Sequence, residues 1–296
     1  MKALVIREDR FGVESVPVPD PGPGEVLVKV AYSGICRTDL YVIEKSLKAK
    51  LPIVPGHEFS GEVVRGGEFF KEGAKVAINP ILPCRVCVSC QQSKPSRCLH
   101  SQMLGVHRDG SFAEYISVPE SSVFQVDNET GLISMAYAEP VAACLAVDIS
   151  EINPSMYGAV AGNNRISVLT QKLLAQRGFN NLELNIDGEN RFDFIIETKA
   201  DGEVIAKSIN ALKPGGVLIV KSRSNQSVPV NFNELIRKEL SFKAVNYADF
   251  SHSIEALENG LDLSDLIGPK FSLEDYEEAF SMAKESETKK IFFEMG

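Results

Sequence analysis

The sequence lacks an excess of positive charge and lacks any long apolar run. Its 296 residues include 31 Lys and Arg against 40 Asp and Glu, for a formal net charge of -9. Surfaces that bind nucleic acid or anionic membranes require clustered basic residues, so both partners are disfavoured. No stretch approaches the roughly 18 apolar residues of a membrane span. We therefore expect small-molecule partners, no nucleic acid and no membrane.

The first residues, MKALVIREDR, do not have the pattern of a secretion signal. Charge returns after a four-residue apolar run, which is too short for the apolar centre of a signal peptide. We therefore expect a cytoplasmic protein. In a reducing compartment, the six cysteines are better explained as metal ligands, nucleophiles or core residues than as disulfides.

The strongest local pattern is CRVCVSCQQSKPSRC, which contains Cys84, Cys87, Cys90 and Cys98. Spacings of two residues let the first three thiolates turn toward one centre. The longer segment that contains Lys94 and Pro95 returns the chain so that the fourth thiolate, Cys98, reaches the same centre. Four thiolates complete a closed tetrahedral shell, which predicts a structural zinc site. Two disulfides or a chance cluster are weaker alternatives, because cysteines at intervals of three rarely pair among themselves. Such a polar loop has little core, so the metal should supply much of its folding free energy.

The hydrophobic pattern changes along the chain. In VPVPDPGPGEVLVKVAY, Pro and Gly residues that favour turns precede the alternating pattern of a half-buried strand, in which Val26, Val28 and Val30 share one face. Further short strands follow. From about residue 147, strands alternate with helices, which predicts a parallel α/β sheet. Near the C-terminus, SLEDYEEAFSMAKE predicts a capped amphipathic helix that begins with Ser272 and Asp275. The fold class is therefore α/β with a mainly β first part.

Three further segments contain residue types that bind metals. They are GICRTDL with Cys36, PGHEFSG with His57 and Glu58, and AEPVAAC with Glu139. Each alone is ordinary, but together with the four-cysteine cluster, and in this order, they resemble the zinc-dependent medium-chain alcohol dehydrogenases. That family includes alcohol, sorbitol and threonine dehydrogenases, and the resemblance covers nearly the whole chain.

The resemblance implies two domains. The first is a GroES-like, mainly β catalytic domain of residues 1–146 and 266–296, with a structural zinc lobe at residues 80–100. The second is a Rossmann-type cofactor-binding domain of residues 147–265. The relatives are dimers or tetramers, so the resemblance also implies a homodimer or homotetramer.

The resemblance further implies a catalytic zinc ion, bound by Cys36 and His57. Glu58 or Glu139, with a water or substrate oxygen, would complete its shell. Neighbouring residues of an extended strand point to opposite faces, so His57 and Glu58 cannot both bind the metal without an irregular backbone. We therefore rank Glu58 below His57 and leave the choice between Glu58 and Glu139 open.

Two residues that follow Cys36 match family positions with roles in catalysis. Asp39 corresponds to the carboxylate that fixes the tautomer of the ligand histidine, and Thr38 would pass on the proton of the alcohol. Some relatives end this proton relay at a histidine, where this chain has Tyr41, so here the relay would end at a ribose hydroxyl or in solvent. Both residues are also good helix N-caps, a role that is compatible with the first.

The segment GAVAGNNRISVLTQKLLAQRG has the outline of the strand, turn and helix that bind a dinucleotide. Only Gly162 remains of the three glycines that such a turn normally contains. Asn164 tolerates unusual backbone angles, and Ser167 is small enough for close packing, so the turn can still form. The helix N-terminus attracts phosphate, and Arg165 and Arg37 would add positive charge. Arg37 matches a family position that often meets the pyrophosphate.

The next segment, NLELNIDGENRFDFIIE, predicts a shortened cofactor domain. Only four residues, 188–191, separate an expected second strand ending near Asp187 from the strand that begins at Phe192. A parallel crossover needs a dozen or more residues, so the third strand and its helix cannot fit. Asp187-Gly188 also has the sequence of a hairpin turn. The acidic residue for the ribose would be at Asn185 or Asp187, and an acid without an adjacent arginine favours NAD over NADP weakly.

The leading hypothesis is a zinc-dependent oxidoreductase with two zinc ions per chain. It would transfer a hydride between a small alcohol or polyol, or the matching carbonyl, and NAD or NADP. The alternative is a non-catalytic zinc-binding relative that has lost or weakened its dinucleotide binding. A zinc-free quinone reductase of the same superfamily is disfavoured, because all the metal-ligand types are present.

Overall fold

The computed structural model describes residues 1–127, 129–147, 151–223 and 227–296. The chain forms two compact units. One contains Met1–Pro140 and Asp249–Gly296, and the other contains Val141–Ala248. Among the described residues, no helix is both long and apolar enough to cross a membrane.

The strands of the described residues are, in chain order, β1 (Lys2–Ile6), β2 (Phe11–Ser15), β3 (Glu25–Gly34), β4 (Glu58–Gly66), β5 (Lys75–Ile78), β6 (Ile81–Leu82), β7 (Gln102–Met103), β8 (Tyr115–Pro119), β9 (Val123–Gln125), β10 (Gly158–Ala161), β11 (Leu182–Glu183), β12 (Phe192–Glu197), β13 (Leu212–Val220), β14 (Ser241–Ala244), β15 (Ile267–Phe271) and β16 (Lys290–Glu294). The α-helices are α1 (Arg37–Ile43), α2 (Val88–Gln91), α3 (Leu132–Met135), α4 (Ala138–Leu145), α5 (Arg165–Gln176), α6 (Gly202–Ala211), α7 (Phe232–Arg237), α8 (Phe250–Glu258) and α9 (Tyr276–Glu285).

The first unit is built on a mainly antiparallel sheet. Its strand order is β15-β16-β3-β4-β5-β9, and β8 also pairs with β3. The predicted alternation of β3 is confirmed, because Val26, Val28 and Val30 are all buried in the core of this unit. The strands therefore form the mainly β part that the sequence pattern predicts.

The C-terminal helix packs its apolar face on this core. A 3₁₀ turn, Leu273–Asp275, leads into α9, and Phe280 contacts the rings of Phe112 and Phe293 with centroid distances of 6.0 and 5.8 Å. The predicted capping interaction is different in detail. The hydroxyl of Ser272 donates to the Asp275 carboxylate at 2.7 Å, and neither side chain caps the helix backbone.

The second unit contains a parallel sheet with the order β11-β10-β12-β13-β14. In the standard dinucleotide-binding order, 3-2-1-4-5-6, the strand in position 3 lies outside the second strand. Here β11 is the second strand, and residues 184–191 lead from it to β12 without another strand or helix. The predicted shortening is therefore present.

The predicted hairpin at Asp187-Gly188 is wrong. β11 and β12 both pair parallel with β10, on its opposite sides, so they do not pair with each other. The second strand also ends earlier than expected, at Glu183 instead of near Asp187. The backbone turns at Gly188, where φ is 97°, and the Arg191 guanidinium donates to the Asp187 carbonyl at 2.6 Å.

A buried lysine closes one end of α6. Lys238 follows α7, and its side chain is 2% exposed. Its ammonium group donates to the carbonyl oxygens of Ile209, Asn210 and Leu212 at 3.0, 2.6 and 2.8 Å. The last carbonyls of a helix have no partner within the helix, so this side chain replaces the missing donors. Burial and the nearby Arg237 lower the pKa of Lys238.

We expect Lys238→Met to lower the free energy of unfolding by about 2 kcal/mol or more, because it leaves buried carbonyls without a donor. Denaturant unfolding measures the effect. The matched control is Lys207→Met on α6, where the lysine is exposed and bound to Glu203, and we expect a change within about 0.5 kcal/mol there. Equal stability of the two variants would refute the capping role.

Candidate active site and metal centres

The four cysteines of the predicted zinc lobe converge. The sulfurs of Cys84, Cys87, Cys90 and Cys98 all lie within 4.8 Å of one another. Cys87 Sγ is 3.6 Å from Cys90 Sγ and 3.8 Å from Cys98 Sγ. Zinc bound at about 2.3 Å in a tetrahedron holds thiolate sulfurs roughly 3.8 Å apart, whereas a disulfide requires about 2.05 Å. The spacing fits a closed four-thiolate zinc site and does not fit disulfides.

The backbone around the cluster stabilises negative charge unequally. Hydrogen bonds from the amides of Val86 and Cys87 lower the pKa of Cys84 to about 6. Desolvation, followed by the neighbouring Cys87 thiol, raises the pKa of Cys90 to about 12. Four adjacent thiolates repel one another, so full deprotonation of the cluster requires a cation at its centre.

A second group brings together Cys36, His57 and Glu58, whose ligand atoms lie within 4.8 Å of one another. Cys36 caps the N-terminus of α1, and His57 precedes the first residue of β4. Gly56, which precedes His57, has φ of 96°, and an added Cβ there would lie 2.6 Å from the Phe112 ring. His57 and Glu58 are both buried, with exposures of 1% and 2%.

Asp39 connects the two segments of this group. Its Oδ2 accepts a hydrogen bond from the Cys36 amide at 2.8 Å, and its Oδ1 accepts one from the Gly56 amide at 3.0 Å. Oδ1 also lies 3.2 Å from His57 Nδ1, in a close electrostatic contact that is not aligned as a hydrogen bond. The expected N-cap role of Thr38 or Asp39 is wrong in detail, since Cys36 is the N-cap and Asp39 is the third helical residue of the capping box.

The charges around His57 favour a cation. Burial alone would lower its pKa, but the Asp39 carboxylate and the Cys36 thiol outweigh burial and raise the pKa of His57 well above its ordinary value. A field that favours a proton on the imidazole also favours a metal ion beside it. The residues therefore fit zinc, because they combine a thiol, an imidazole and a buried carboxylate.

The other predicted residues of this site lie nearby or in the same unit. Thr38 Oγ1 is 3.8 Å from Cys36 Sγ. Glu139 is 7% exposed in the first turn of α4 and is not part of the three-residue group. Arg37 is exposed and forms an ion pair with Glu287 at 3.6 Å. Lys290, whose buried ammonium contacts the Glu58 carboxylate, was not predicted from the sequence. The available signal was a lysine at the start of the apolar strand KIFFE.

The degenerate glycine turn is formed. Gly162 has φ of 138°, and an added Cβ would lie 2.2 Å from Thr198 Oγ1. Asn164 caps α5, where its Oδ1 accepts hydrogen bonds from the amides of Ile166 and Ser167 at 2.9 and 3.1 Å. The unusual backbone angle expected at Asn164 occurs instead at Asn163, with φ of 49°, while Asn164 is extended.

Polar contacts fix this turn to the neighbouring strand. Ser167 Oγ lies 2.8 Å from Thr198 Oγ1, and Asn164 Nδ2 donates to the Thr198 carbonyl at 3.1 Å. Thr198 directly follows β12, so the turn is attached at the carboxyl end of the parallel strands, where this type of sheet binds nucleotides. Arg165 is the first residue of α5 and belongs to the same turn.

The acidic residue at the end of the second strand is Glu183. Its carboxylate accepts a hydrogen bond from Arg191 at 3.0 Å and also binds the Tyr157 hydroxyl. Asp187 lies farther along in the following loop, where its carboxylate accepts a hydrogen bond from Asn185 at 2.9 Å. The early end of β11 explains why the sequence analysis missed Glu183.

Comparisons with known proteins identify the family. Residues 22–128 match the model of the alcohol dehydrogenase GroES-like domain. L-threonine 3-dehydrogenase of Streptomyces avermitilis is 30% identical over 339 positions, which cover 99% of both chains. The chain belongs to the zinc-dependent medium-chain alcohol dehydrogenase family. This medium-chain dehydrogenase is thus a member of a family of NAD(P)-linked oxidoreductases, as the sequence analysis predicted.

Similar solved structures confirm the fold of this medium-chain dehydrogenase. A zinc-binding dehydrogenase from Sinorhizobium meliloti, bound to NADP, gives a TM-score of 0.92 at 24% identity over 99% of this chain and 98% of that chain. Galactitol-1-phosphate dehydrogenase from Escherichia coli gives 0.89 at 24% identity over 99% of both chains. The 339 positions aligned with the Streptomyces avermitilis relative exceed the length of this chain, 296 residues, so the alignment contains gaps in this chain.

We expect Cys87→Ser to lower the zinc content by about one ion per chain, because three thiolates cannot complete the closed site. Elemental analysis of the purified protein measures it. Cys144→Ser is the control, since Cys144 is buried in α4 and belongs to neither metal group, and its zinc content should not change. An unchanged zinc content in Cys87→Ser would contradict the structural site.

Proposed function

We propose that this protein transfers a hydride between a small alcohol or polyol, or the matching carbonyl, and NAD(P). One zinc ion would bind at Cys36 and His57, and a second at the four-cysteine cluster. The observation that carries the proposal is the group formed by Cys36, His57 and Glu58, in which the Asp39 carboxylate lies beside the His57 imidazole. The similarity to L-threonine 3-dehydrogenases supports an alcohol as the substrate.

We assign the catalytic role to residues 1–146 and 266–296 and cofactor binding to residues 147–265. The change from a mainly β pattern to alternating strands and helices supports this division. The limits of the two compact units, at Pro140 and Ala248, offer an alternative set of boundaries for truncation experiments.

Each residue near the first metal would have a distinct task. Cys36 and His57 would hold the ion, with Glu58 or Glu139 as a further ligand. The Asp39 carboxylate, which lies 3.2 Å from Nδ1, would orient the imidazole electrostatically. A bound zinc ion would supply Lewis acidity at the alcohol oxygen, and the nicotinamide would accept the hydride. Thr38, whose hydroxyl lies beside Cys36 Sγ, would accept the proton of the alcohol and pass it on.

The turn around Gly162 would hold the cofactor phosphates. Asn164 would keep the turn in shape, and Arg165 and Arg37 would contribute positive charge. The ribose acid would be Asp187 or Glu183. An acid at Asp187 favours NAD. The Arg191 side chain beside Glu183 favours a phosphate at the same place and hence NADP, so both cofactors need to be tested.

We also propose a homodimer or homotetramer in the cytoplasm. β14 is the last strand of the parallel sheet, and unpaired sheet edges readily pair with another chain. Apolar side chains are exposed on β14 and on the preceding α7. They are Phe242, Phe232 and Ile236, with exposures of 46%, 68% and 73%.

A non-catalytic zinc-binding relative is the second candidate. The shortened second unit favours it, as does the Asn164 side chain, because it already occupies two amide donors at the N-terminus of α5. Cofactor binding separates the two candidates directly.

We expect the zinc-loaded protein to bind either NADH or NADPH saturably, measured by calorimetry or cofactor fluorescence. Gly162→Ala should weaken this binding by about tenfold or more, because the added methyl would displace Thr198 and open the turn. Gly131→Ala is the control, since a Cβ there meets no atom within 4 Å. Folded protein with both zinc ions that binds neither cofactor at millimolar concentration would reject the dehydrogenase and favour the second candidate.

We expect Thr38→Ala to lower kcat by roughly 10²- to 10⁴-fold, the usual contribution of a positioned proton acceptor. The assay follows NADH or NADPH absorbance with the best substrate from a panel of alcohols and polyols. Thr38→Ser keeps the hydroxyl and should retain most activity, and zinc content should be the same in all three proteins. Full activity in Thr38→Ala would exclude the proposed relay.

A further inference from the structure

Glu197, the last residue of β12, has an acidic side chain that is completely buried. Its Oε1 accepts a hydrogen bond from the Ser222 hydroxyl, whereas its Oε2 is buried without a hydrogen-bond partner among the described residues. A charged oxygen without a partner is costly in a protein interior. If a proton lies on Oε1 and is donated to Ser222 Oγ, Oε2 is only a neutral carbonyl oxygen. The surroundings therefore fit the carboxylic acid better than the carboxylate.

The balance of charges around Glu197 agrees with this form. Burial raises the pKa of Glu197 above its ordinary value of 4.5. The Ser222 hydroxyl, the amides of Ser222 and Lys199, and the Lys221 ammonium lower this pKa, but they do not outweigh burial. Lys221 also has another contact, since its ammonium lies 3.7 Å from Cys144 Sγ on α4. The neighbouring cation therefore does not hold Glu197 in its charged form.

The other charged side chains at this end of the sheet come from the neighbouring elements of the described chain. They are Arg165 at the start of α5, Lys199 and Asp201 between β12 and α6, and Arg223 after β13. β10 contributes no charge, because it ends at Ala161 opposite Glu197. Apart from Glu197, Asp201 is the acid of this set, so the set is mainly positive and suits an anionic ligand.

Glu197 lies beside the turn that would hold the cofactor phosphates. It pairs with Ala161 of β10, and Gly162 follows Ala161 directly. β11 lies on one side of β10 and β12 on the other, and open α/β sheets bind ligands at such a switch point. Neighbouring strands are about 4.8 Å apart, so a phosphate bound at the turn would lie roughly 10 Å or less from the carboxyl group.

We propose that Glu197 regulates cofactor binding through its charge: as a neutral acid it admits the dinucleotide phosphates, and as a carboxylate it opposes them. The proposal rests on the cofactor site proposed above. When the carboxylate is present, binding transfers a proton from solvent to it, and no other bond changes.

The sign of the pH dependence follows from the charges. Bound phosphates raise the pKa of Glu197 further, because two negative groups oppose each other. Affinity is therefore highest below the pKa of the free protein and falls as pH rises from that pKa to the pKa of the complex. One unit of net charge at roughly 10 Å, with an effective dielectric constant of about 20, corresponds to about tenfold in affinity.

The test is a calorimetric titration of the zinc-loaded protein with NADH from about pH 5.5 to about pH 8. Two buffers with different ionisation enthalpies at each pH reveal the protons taken up on binding. NADH is used instead of NADPH, since the additional phosphate of NADPH titrates near pH 6, at about the second pKa of a phosphate monoester. We expect net proton uptake and a dissociation constant that rises about tenfold across this range.

Two variants separate the charge of Glu197 from its place in the structure. Glu197→Gln keeps the shape without an ionisable group, so it should lose the proton uptake and bind NADH about tenfold more tightly than the wild type at the upper pH. Asp193→Asn is the control, because Asp193 lies at the opposite end of β12 and pairs with Lys213 at 2.7 Å, and it should keep the wild-type profile. A purely structural role predicts weaker binding in Glu197→Gln with the wild-type pH profile.

The possible results distinguish the two proposals. Saturable NADH binding without proton uptake, or an unchanged pH profile in Glu197→Gln, overturns the inference and leaves the proposed function intact. A folded wild-type protein that binds no NADH at any pH overturns the proposed cofactor site, and the inference with it. If Glu197→Gln does not fold, Ser222→Ala decides. Loss of the hydroxyl that lowers the pKa of Glu197 should move the fall in affinity to higher pH, and an unmoved profile overturns the inference.

Discussion

The Asp39 carboxylate connects the two segments from which the candidate active site is built. It accepts hydrogen bonds from the amides of Cys36 and Gly56 and lies beside the imidazole of His57. A buried carboxylate is costly unless its charge is compensated, and here two amides and an imidazole surround it. The same negative charge makes the position between Cys36 and His57 favourable for a metal cation. The Asp39 carboxylate therefore fixes the start of α1 and the residues that lead into β4, and it also makes the site favourable for a cation.

Several charged side chains are buried in this protein, and each charge is compensated by different partners. Lys238 binds three carbonyl oxygens and thereby ends a helix. Lys290 binds Glu58 and faces an aromatic ring. Removing one member of a buried pair leaves the other uncompensated, so these side chains are constrained by their partners as well as by their volume.

The shortened nucleotide unit shows how a degenerate motif can keep its shape. Side-chain hydrogen bonds from Asn164 and Ser167 take over the local role of two missing glycines and attach the turn to Thr198. The cost is that two amide donors of α5 are already bonded to Asn164. Phosphate binding would then depend more strongly on Arg165 and Arg37 and on the remaining backbone amides of the turn. Whether these groups suffice to bind the cofactor decides between a dehydrogenase and a non-catalytic zinc-binding protein.

The sequence by itself determined the family, the fold class and the composition of the metal groups. Ligand spacing in the cysteine cluster is a local property, so its convergence followed from the spacing alone. The four residues between the expected strand end near Asp187 and Phe192 likewise excluded another strand and helix, because a crossover has a minimum length. The hairpin was mispredicted for the opposite reason, since strand partners are chosen by the whole sheet and β10 lies between the two strands.

Only the tertiary structure decided which distant side chains meet. Lys290 and Glu58 are 232 positions apart, and no local pattern connects them. Their contact depends on the register of three strands and on the absence of a side chain at Gly34. Sequence periodicity reports which face a residue occupies, but the partner on that face is fixed by the packing of the complete sheet. For this reason the ligand types could be read from the chain, whereas the contact between Lys290 and Glu58 could not.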